Sequence, residues 1–166
     1  MTVQKVLEIP HLCLSNPTTE ITDFGSEEIQ LANDLIDTML ASPGCVGLAA
    51  NQIGVPRRIF ALDVSGHHKT TSCHGQLVIC NPVLIDGSDN VTLREGCMSV
   101  PHFTGDITRP SKICLKGYDP QGAPMEIITE GFEARAILHE LDHLNGYVFI
   151  DRIESPTALF KRKVYL

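Results

Sequence analysis

Apolar positions recur along this chain with two different periods, and the periods divide it into segments. Between Ser26 and Pro43-Gly44, the residues Ile29, Ala32, Leu35, Ile36, Met39 and Leu40 fall three and four apart, which draws one apolar stripe along a helix. Ser26 offers a hydroxyl cap, Glu27 and Glu28 complement the positive end of the helix, and Pro43-Gly44 stops it. From Arg57 onward the pattern shortens to β-branched and apolar runs. Ile59 to Val64, Leu77 to Ile85, Ile113 to Tyr118 and Met125 to Thr129 are predicted strands. Asp119-Pro120-Gln121-Gly122 is a turn signal between the last two, so that pair is a predicted antiparallel hairpin. From Gly131 the helical period returns, with Phe132, Ala136, His139, Glu140 and His143 near one face, and Asn145-Gly146 ends it with residues that tolerate positive φ. An extended, proline-interrupted arm precedes Ser26. The pattern shows no repeat, linker or low-complexity block. It predicts one α+β domain over residues 1–166, with antiparallel sheets packed around the second helix and an amphipathic helix nearer the N-terminus.

Composition narrows the classes. A chain of 166 residues with 43% hydrophobic and 20% charged residues can bury a sizeable core, which excludes a disordered or fibrous protein. A formal charge of −7 with scattered basic residues argues against general nucleic-acid binding, and Lys161 to Lys163 reads as a solvated end. Apolar runs fall far short of the ~20 residues that cross a bilayer, so no membrane partner is expected. Met1 to Leu12 has no charged lead into a sustained apolar run, and six cysteines at irregular spacing fit a reducing compartment. The expected location is therefore cytoplasmic.

The second helix carries the chemistry. His139-Glu140-Leu141-Asp142-His143 places two imidazoles one turn apart on one face with a carboxylate beside them, the parts of a metal site with its own base. With 7 His and this many Glu, the spacing arises by chance in about 0.02 of shuffled chains, so it is signal rather than accident. A catalytic metal of this kind keeps three protein ligands and an open position. Phe149 stands where a third His would follow the motif in one group of proteases, and Glu154 comes too early for the role that a Glu plays in another, which sends the search upstream. Arg94-Glu95-Gly96-Cys97-Met98-Ser99-Val100-Pro101 offers Cys97, a thiol beside a glycine that permits close approach. By local features alone an inert core thiol is the other reading.

Three segments together resemble the peptide deformylase family. Val46-Gly47-Leu48-Ala49-Ala50-Asn51-Gln52 is similar to its glycine-rich GxGxAAxQ segment, Glu95-Gly96-Cys97-Met98-Ser99 to its EGCLS segment, and His139 to His143 to its HExxH helix. Their order and separations match, and with Arg109 and the Gly146 turn the resemblance runs from the first helix to Ile150. Cys45 replaces the first glycine, as in some mitochondrial-type members, and Met98 the leucine. His102 to Thr108 and the chain after Asp151 match less well.

The resemblance implies a hydrolase that removes the formyl group from formyl-methionine at the N-termini of nascent chains at the ribosome, releasing formate. It implies Cys97, His139 and His143 as ligands of one divalent ion, Fe2+ first and Zn2+ second, with Ni2+ or Co2+ possible on isolation. Glu140 becomes the general base, and the Gln52 amide and the Met98 backbone N–H become donors to the oxyanion. Gly47 and Val46 are placed beside the substrate backbone, and Arg109 is expected to help hold the peptide. Asp142 is left as a ring-orienting or solvated group, and Glu95 with Arg135 as a structural ion pair. His67, His68, Cys73 and His74 are assigned to a flexible loop rather than a second metal site. The rival readings are a zinc endopeptidase, or other amidase, with a ligand other than Cys97, and a non-catalytic metal-binding protein. The second conflicts with an intact Glu140 and Gln52, since a structural site needs no base.

Overall fold

A computed structural model describes residues 3–163, so the ends of the expected 1–166 domain, residues 1–2 and 164–166, lie outside the described residues. Three α-helices, α1 (Leu12–Ser15), α2 (Ser26–Ala41) and α3 (Gly131–Leu144), accompany an antiparallel sheet. Its strands are β1 (Gly47–Ala49), β2 (Ile59–Leu62), β3 (Leu77–Cys97), β4 (Val100–Tyr118), β5 (Pro124–Glu130) and β6 (Leu159–Lys161). They run in the order β1-β2-β3-β4-β5, with β6 also on β4. This is the mixed α+β architecture that the two periods predict. Among the described residues no helix is long and apolar enough to cross a membrane.

Helix α2 is capped one residue earlier than expected. Gly25 is the N-cap, and its N–H donates to the Glu28 carboxylate at 3.2 Å, which leaves Ser26 as the first helical residue. Ala32, Leu35 and Met39 bury against Leu48, Ile59 and Ala61. Ile29 and Leu40 are 38% and 66% exposed, so the apolar stripe is narrower than its spacing suggests.

The β3–β4 pair is much longer than the predicted runs. Asp86-Gly87-Ser88-Asp89-Asn90 has turn composition, yet β3 continues through it by register shifts at Cys80/Val83 and Leu84/Asp86, with Asp89 at φ +59°. Such bulges bend a strand without ending it. Residues 83–94 are accordingly exposed, and only the last part of β3 returns to the interior. The Asp119–Gly122 turn closes the β4–β5 hairpin as expected, with the Asp119 N–H donating to the Ala123 carbonyl at 2.9 Å.

Helix α3 is buried nearly all round, packing on Phe60, Leu62, Ile79, Leu115 and Ile127. A helix so enclosed must satisfy its polar groups internally. It ends at Gly146, φ +82°, where a Cβ would lie 2.8 Å from the Asn16 carbonyl carbon; the turn needs glycine both for its backbone and for this close approach. The basic end is solvent-exposed as expected, yet its start is ordered against the sheet. β6 pairs with Phe103–Gly105, and the Arg162 N–H donates to the His102 carbonyl at 2.9 Å.

Candidate metal centre

The last residue of β3 meets one face of α3. A register shift at Gly96/Cys97 turns the Cys97 thiol inward, and the one-turn spacing of His139 and His143 brings their ring centroids to 5.0 Å. Cys97 Sγ lies 3.2 Å from His143 Nε2, and one donor atom from each of Cys97, His139 and His143 falls within 4.8 Å of the others. Among the described residues this is the one group of three or more such side chains that converges. Burial opposes ionisation of Cys97, but the two imidazoles outweigh it and hold the thiol well below its ordinary range. Cys97 and Glu95, with a further pull from Glu140, raise His139 well above its ordinary value against its own burial.

Glu95, two residues before the thiol, organises this face. Its Oε2 accepts from His139 Nδ1 at 3.0 Å, which fixes the ring and leaves Nε2 for the side where Cys97 lies. Arg109 forks onto both carboxylate oxygens, Nε to Oε1 at 2.7 Å and Nη2 to Oε2 at 3.0 Å, and Arg135 Nη1 adds a bond to Oε1 at 2.7 Å. These partners outweigh burial and hold the Glu95 carboxyl far below the usual range. Arg109 also reaches Asp142 Oδ2 at 2.7 Å, and Arg152 closes the network on Asp142 Oδ1 at 2.6 Å. Arg109 was expected to hold a peptide. Its guanidinium is instead buried, 5% exposed, and occupied by two carboxylates beneath the site. The expected Glu95–Arg135 ion pair is present, but sequence reasoning missed that Glu95 also orients His139, and Asp142, left open as ring-orienting or solvated, instead anchors Arg109 and Arg152. The available signal was that a helix carrying Glu133, Arg135, Glu140 and Asp142 can be buried only if partners wait for each charge.

Gln52 sits on a short 3-10 turn, Ala50–Ile53, that Asn51 fastens to α3 by donating to the His143 carbonyl at 2.5 Å. The Gln52 Oε1 accepts from the Ala49 N–H at 2.9 Å, so the amide NH2 faces Ser99 Oγ, 3.1 Å, and Cys97 Sγ, 3.6 Å. Glu140 is buried beside strand β1. A Cβ on Gly47 would lie 2.5 Å from Glu140 Oε1, so the glycine is what makes room for the carboxylate. Oε2 of Glu140 has no hydrogen-bond partner, and burial pushes the carboxyl up to about 7 against the pull of both histidines. A buried acceptor left unpaired this way is costly unless something docks on it.

These groups open into a cavity of ≈ 320 Å³ whose walls include Val46, Gly47, Gln52, Met98 and Glu140. The loop with four histidine and cysteine side chains contributes a wall, not a metal site. His67 stacks on Phe132 at 4.1 Å and lines the cavity, while His74 Nδ1 lies 2.7 Å from Glu133 Oε2.

A thiol and two imidazoles gathered beside an unpartnered carboxylate, at the foot of a cavity, are the parts of a mononuclear hydrolytic centre. Comparison with known proteins gives the family. The model of the polypeptide deformylase family matches residues 3–158. The peptide deformylase of Pelotomaculum thermopropionicum is 37% identical over 163 residues, covering 98% of this chain and 99% of that protein. Peptide deformylase 1 of Bacillus subtilis is 36% identical, covering 93% and 92%. Among solved structures, the Ehrlichia chaffeensis peptide deformylase in complex with actinonin superposes with a TM-score of 0.87 at 34% identity, covering 95% of this chain and 92% of that one. The chain belongs to the peptide deformylase family.

Proposed function

We propose that this chain is a metal-dependent deformylase that removes formyl from formyl-methionine at the N-terminus of nascent polypeptides and releases formate. The observation that carries this reading is the Glu140 carboxylate, buried without a partner next to three converging metal-ligating donors. The donor set fits a divalent cation, held by Cys97 Sγ, a ring nitrogen of His139 and one of His143. One thiolate and two imidazoles suit Fe2+, which we place first, and also Zn2+, Ni2+ or Co2+. Such an ion, when bound, acidifies water and polarises a carbonyl.

The chain's own groups do the rest. Glu140 accepts the proton of the attacking water and returns it to the departing amine. Gln52 is held by its carbonyl with its NH2 turned toward Cys97, and so can donate to the developing oxyanion without reorganising. The Met98 N–H is the second proposed donor. Val46 and Gly47 present backbone to an extended peptide, whose methionine enters the cavity. Formyl is chosen over acetyl by steric exclusion of one methyl, since a lost contact alone gives only ~1–3 kcal/mol.

The test is formate release from a formyl-Met tripeptide by protein purified without oxygen, against the acetylated tripeptide and Glu140→Gln. Release from the formyl substrate alone, lost in the variant, is the expected result. No release after reloading with Fe2+, Co2+ or Ni2+ overturns the proposal and leaves a metal-binding protein without this activity.

A further inference from the structure

The molecule carries a formal charge of −7, yet the walls of its cavity hold Lys69, Arg94, Arg135 and Arg162. Two of these cations are already matched. Arg135 pairs with Glu95 at 2.7 Å, and Arg94 with Asp106 at 2.6 Å while stacking on the Phe160 ring at 3.5 Å. The two carboxylates of the walls do not serve the others: Glu95 is taken up by Arg109, Arg135 and His139, and Glu140 is buried against Gly47. Among the described residues no carboxylate forms an ion pair with Arg162.

Arg162 is nonetheless held in place. Its backbone N–H is fixed on the His102 carbonyl at 2.9 Å, and one Nη2–H donates to the Cys97 carbonyl at 3.2 Å. The guanidinium lies over Gly96, where a Cβ would come within 2.7 Å of Nη2. A planar fork with five donors is thus laid in the cavity wall across the backbone that carries the Cys97 thiol, with one donor used on that backbone.

We propose that Arg162 is a specificity-determining residue, selecting formyl-methionyl peptides that carry a carboxylate a short distance beyond the methionine. This rests on the deformylase reading. The matching chemistry is a planar carboxylate, which takes two parallel N–H bonds from the fork and supplies the charge the wall lacks. It can come from an Asp or Glu side chain or from the terminal carboxylate of a short peptide. Because Arg162 is exposed, the effect is modest and salt-sensitive.

The experiment uses the metal-loaded protein and kcat/KM for formate release from formyl-Met tripeptides. One set is amidated and bears Ala, Asp or Lys after the methionine; one all-neutral peptide has a free carboxylate. The expected result is a preference of about threefold to fivefold for a carboxylate-bearing peptide over the amidated neutral one at low salt, shrinking at high salt. Preference for the amidated Asp peptide assigns the carboxylate to a side chain, and preference for the free acid assigns it to the chain end. Arg162→Gln brings the ratio to about one, Arg162→Lys keeps part of it, and Arg162→Glu turns the preference toward the Lys peptide. Turnover of the neutral peptide with no carboxylate preference, or a preference unchanged in Arg162→Gln, overturns this inference alone. Turnover of no formyl peptide by the unaltered protein overturns the deformylase reading and this inference with it.

Discussion

Glu95 shows how one side chain can serve the fold and the site together. It accepts from two arginines and orients His139, so its loss leaves buried guanidinium charge uncompensated. Glu95→Gln keeps the shape but turns an NH2 toward donors. The expected cost is about 3–5 kcal/mol in denaturant unfolding, together with a tenfold to hundredfold weaker metal titration. Unchanged metal affinity in a destabilised variant would reduce Glu95 to a structural role. Cys45 behaves in the opposite way. It stands in the cavity wall where the family motif has glycine, donates to the Gly47 carbonyl at 3.1 Å, and has its thiol pushed up to about 12, chiefly by burial. A raised thiol pKa means less thiolate at any pH below it. Its alkylation by iodoacetamide is therefore expected to lag that of an ordinary thiol at pH 8 and to keep rising tenfold per pH unit above pH 9, where an ordinary thiol levels off. A plateau near pH 9 in mass-spectrometric labelling would contradict this. His139 and His143 were legible in the sequence because spacing on one helix turn is geometry, whereas Cys97, on a different element, was reached only through the resemblance of three motifs to the family. Arg109 was not, because nothing in sequence says whether an arginine near a site faces the cavity or the carboxylates behind it.

Elements bring these side chains to one place, and the tightest join is between β1 and α3. Gly47 leaves the space that Glu140 Oε1 fills, and substitution by alanine would put a Cβ 2.5 Å from that oxygen. The carboxylate is the free end of a flexible chain, so Gly47→Ala is expected to fold while displacing the base. Formate release should fall by about 10²-fold or more, since general-base catalysis contributes on the order of 10²–10⁴. Circular dichroism and release rates separate the outcomes, and near-normal turnover would mean that Glu140 acts from another position. Helices α2 and α3 and the β4–β5 hairpin were legible from periodicity and a turn signal, whereas the single turn of α1 lies inside the arm that reads as extended. The reach of β3 was not, because bulges at Cys80/Val83 and Leu84/Asp86 carry a strand through residues of turn composition. Nor was β6, whose three residues pair only because β4 extends far enough to present Phe103–Gly105. A short strand of that kind is specified by its partner rather than by its own pattern.

At the scale of the whole molecule, the proposed metal is a cross-link between parts that are distant in sequence. Cys97 closes β3, His139 and His143 lie on α3, and the hydrophobic clusters on either side of this seam are separate: Cys97, Val100, Ile107, Val148 and Phe149 form one, and α3 with Phe60, Leu62 and Leu115 another. An ion that binds the folded chain stabilises it in proportion to the logarithm of its concentration over Kd, about 4 kcal/mol at a thousandfold excess. In a chain of this size that corresponds to a shift of about 10 °C in Tm. The seam is not held by metal alone. Glu95, Arg109, Asp142 and Arg152 bridge β3, β4, α3 and the turn Phe149–Arg152 with their own ion pairs, and the core buries Phe60, Leu35, Ile137 and Leu144 fully. Chelation is therefore expected to lower Tm by about 10 °C while leaving the far-UV circular dichroism unchanged at room temperature, unlike a small domain that unfolds without its ion. The control is Glu95→Gln, in which the bridge under the site is weakened; there the same chelation should bring the protein measurably closer to unfolding at room temperature. Loss of secondary structure on chelating the unaltered protein would show that the ion, and not the buried ion-pair network, holds β3 against α3.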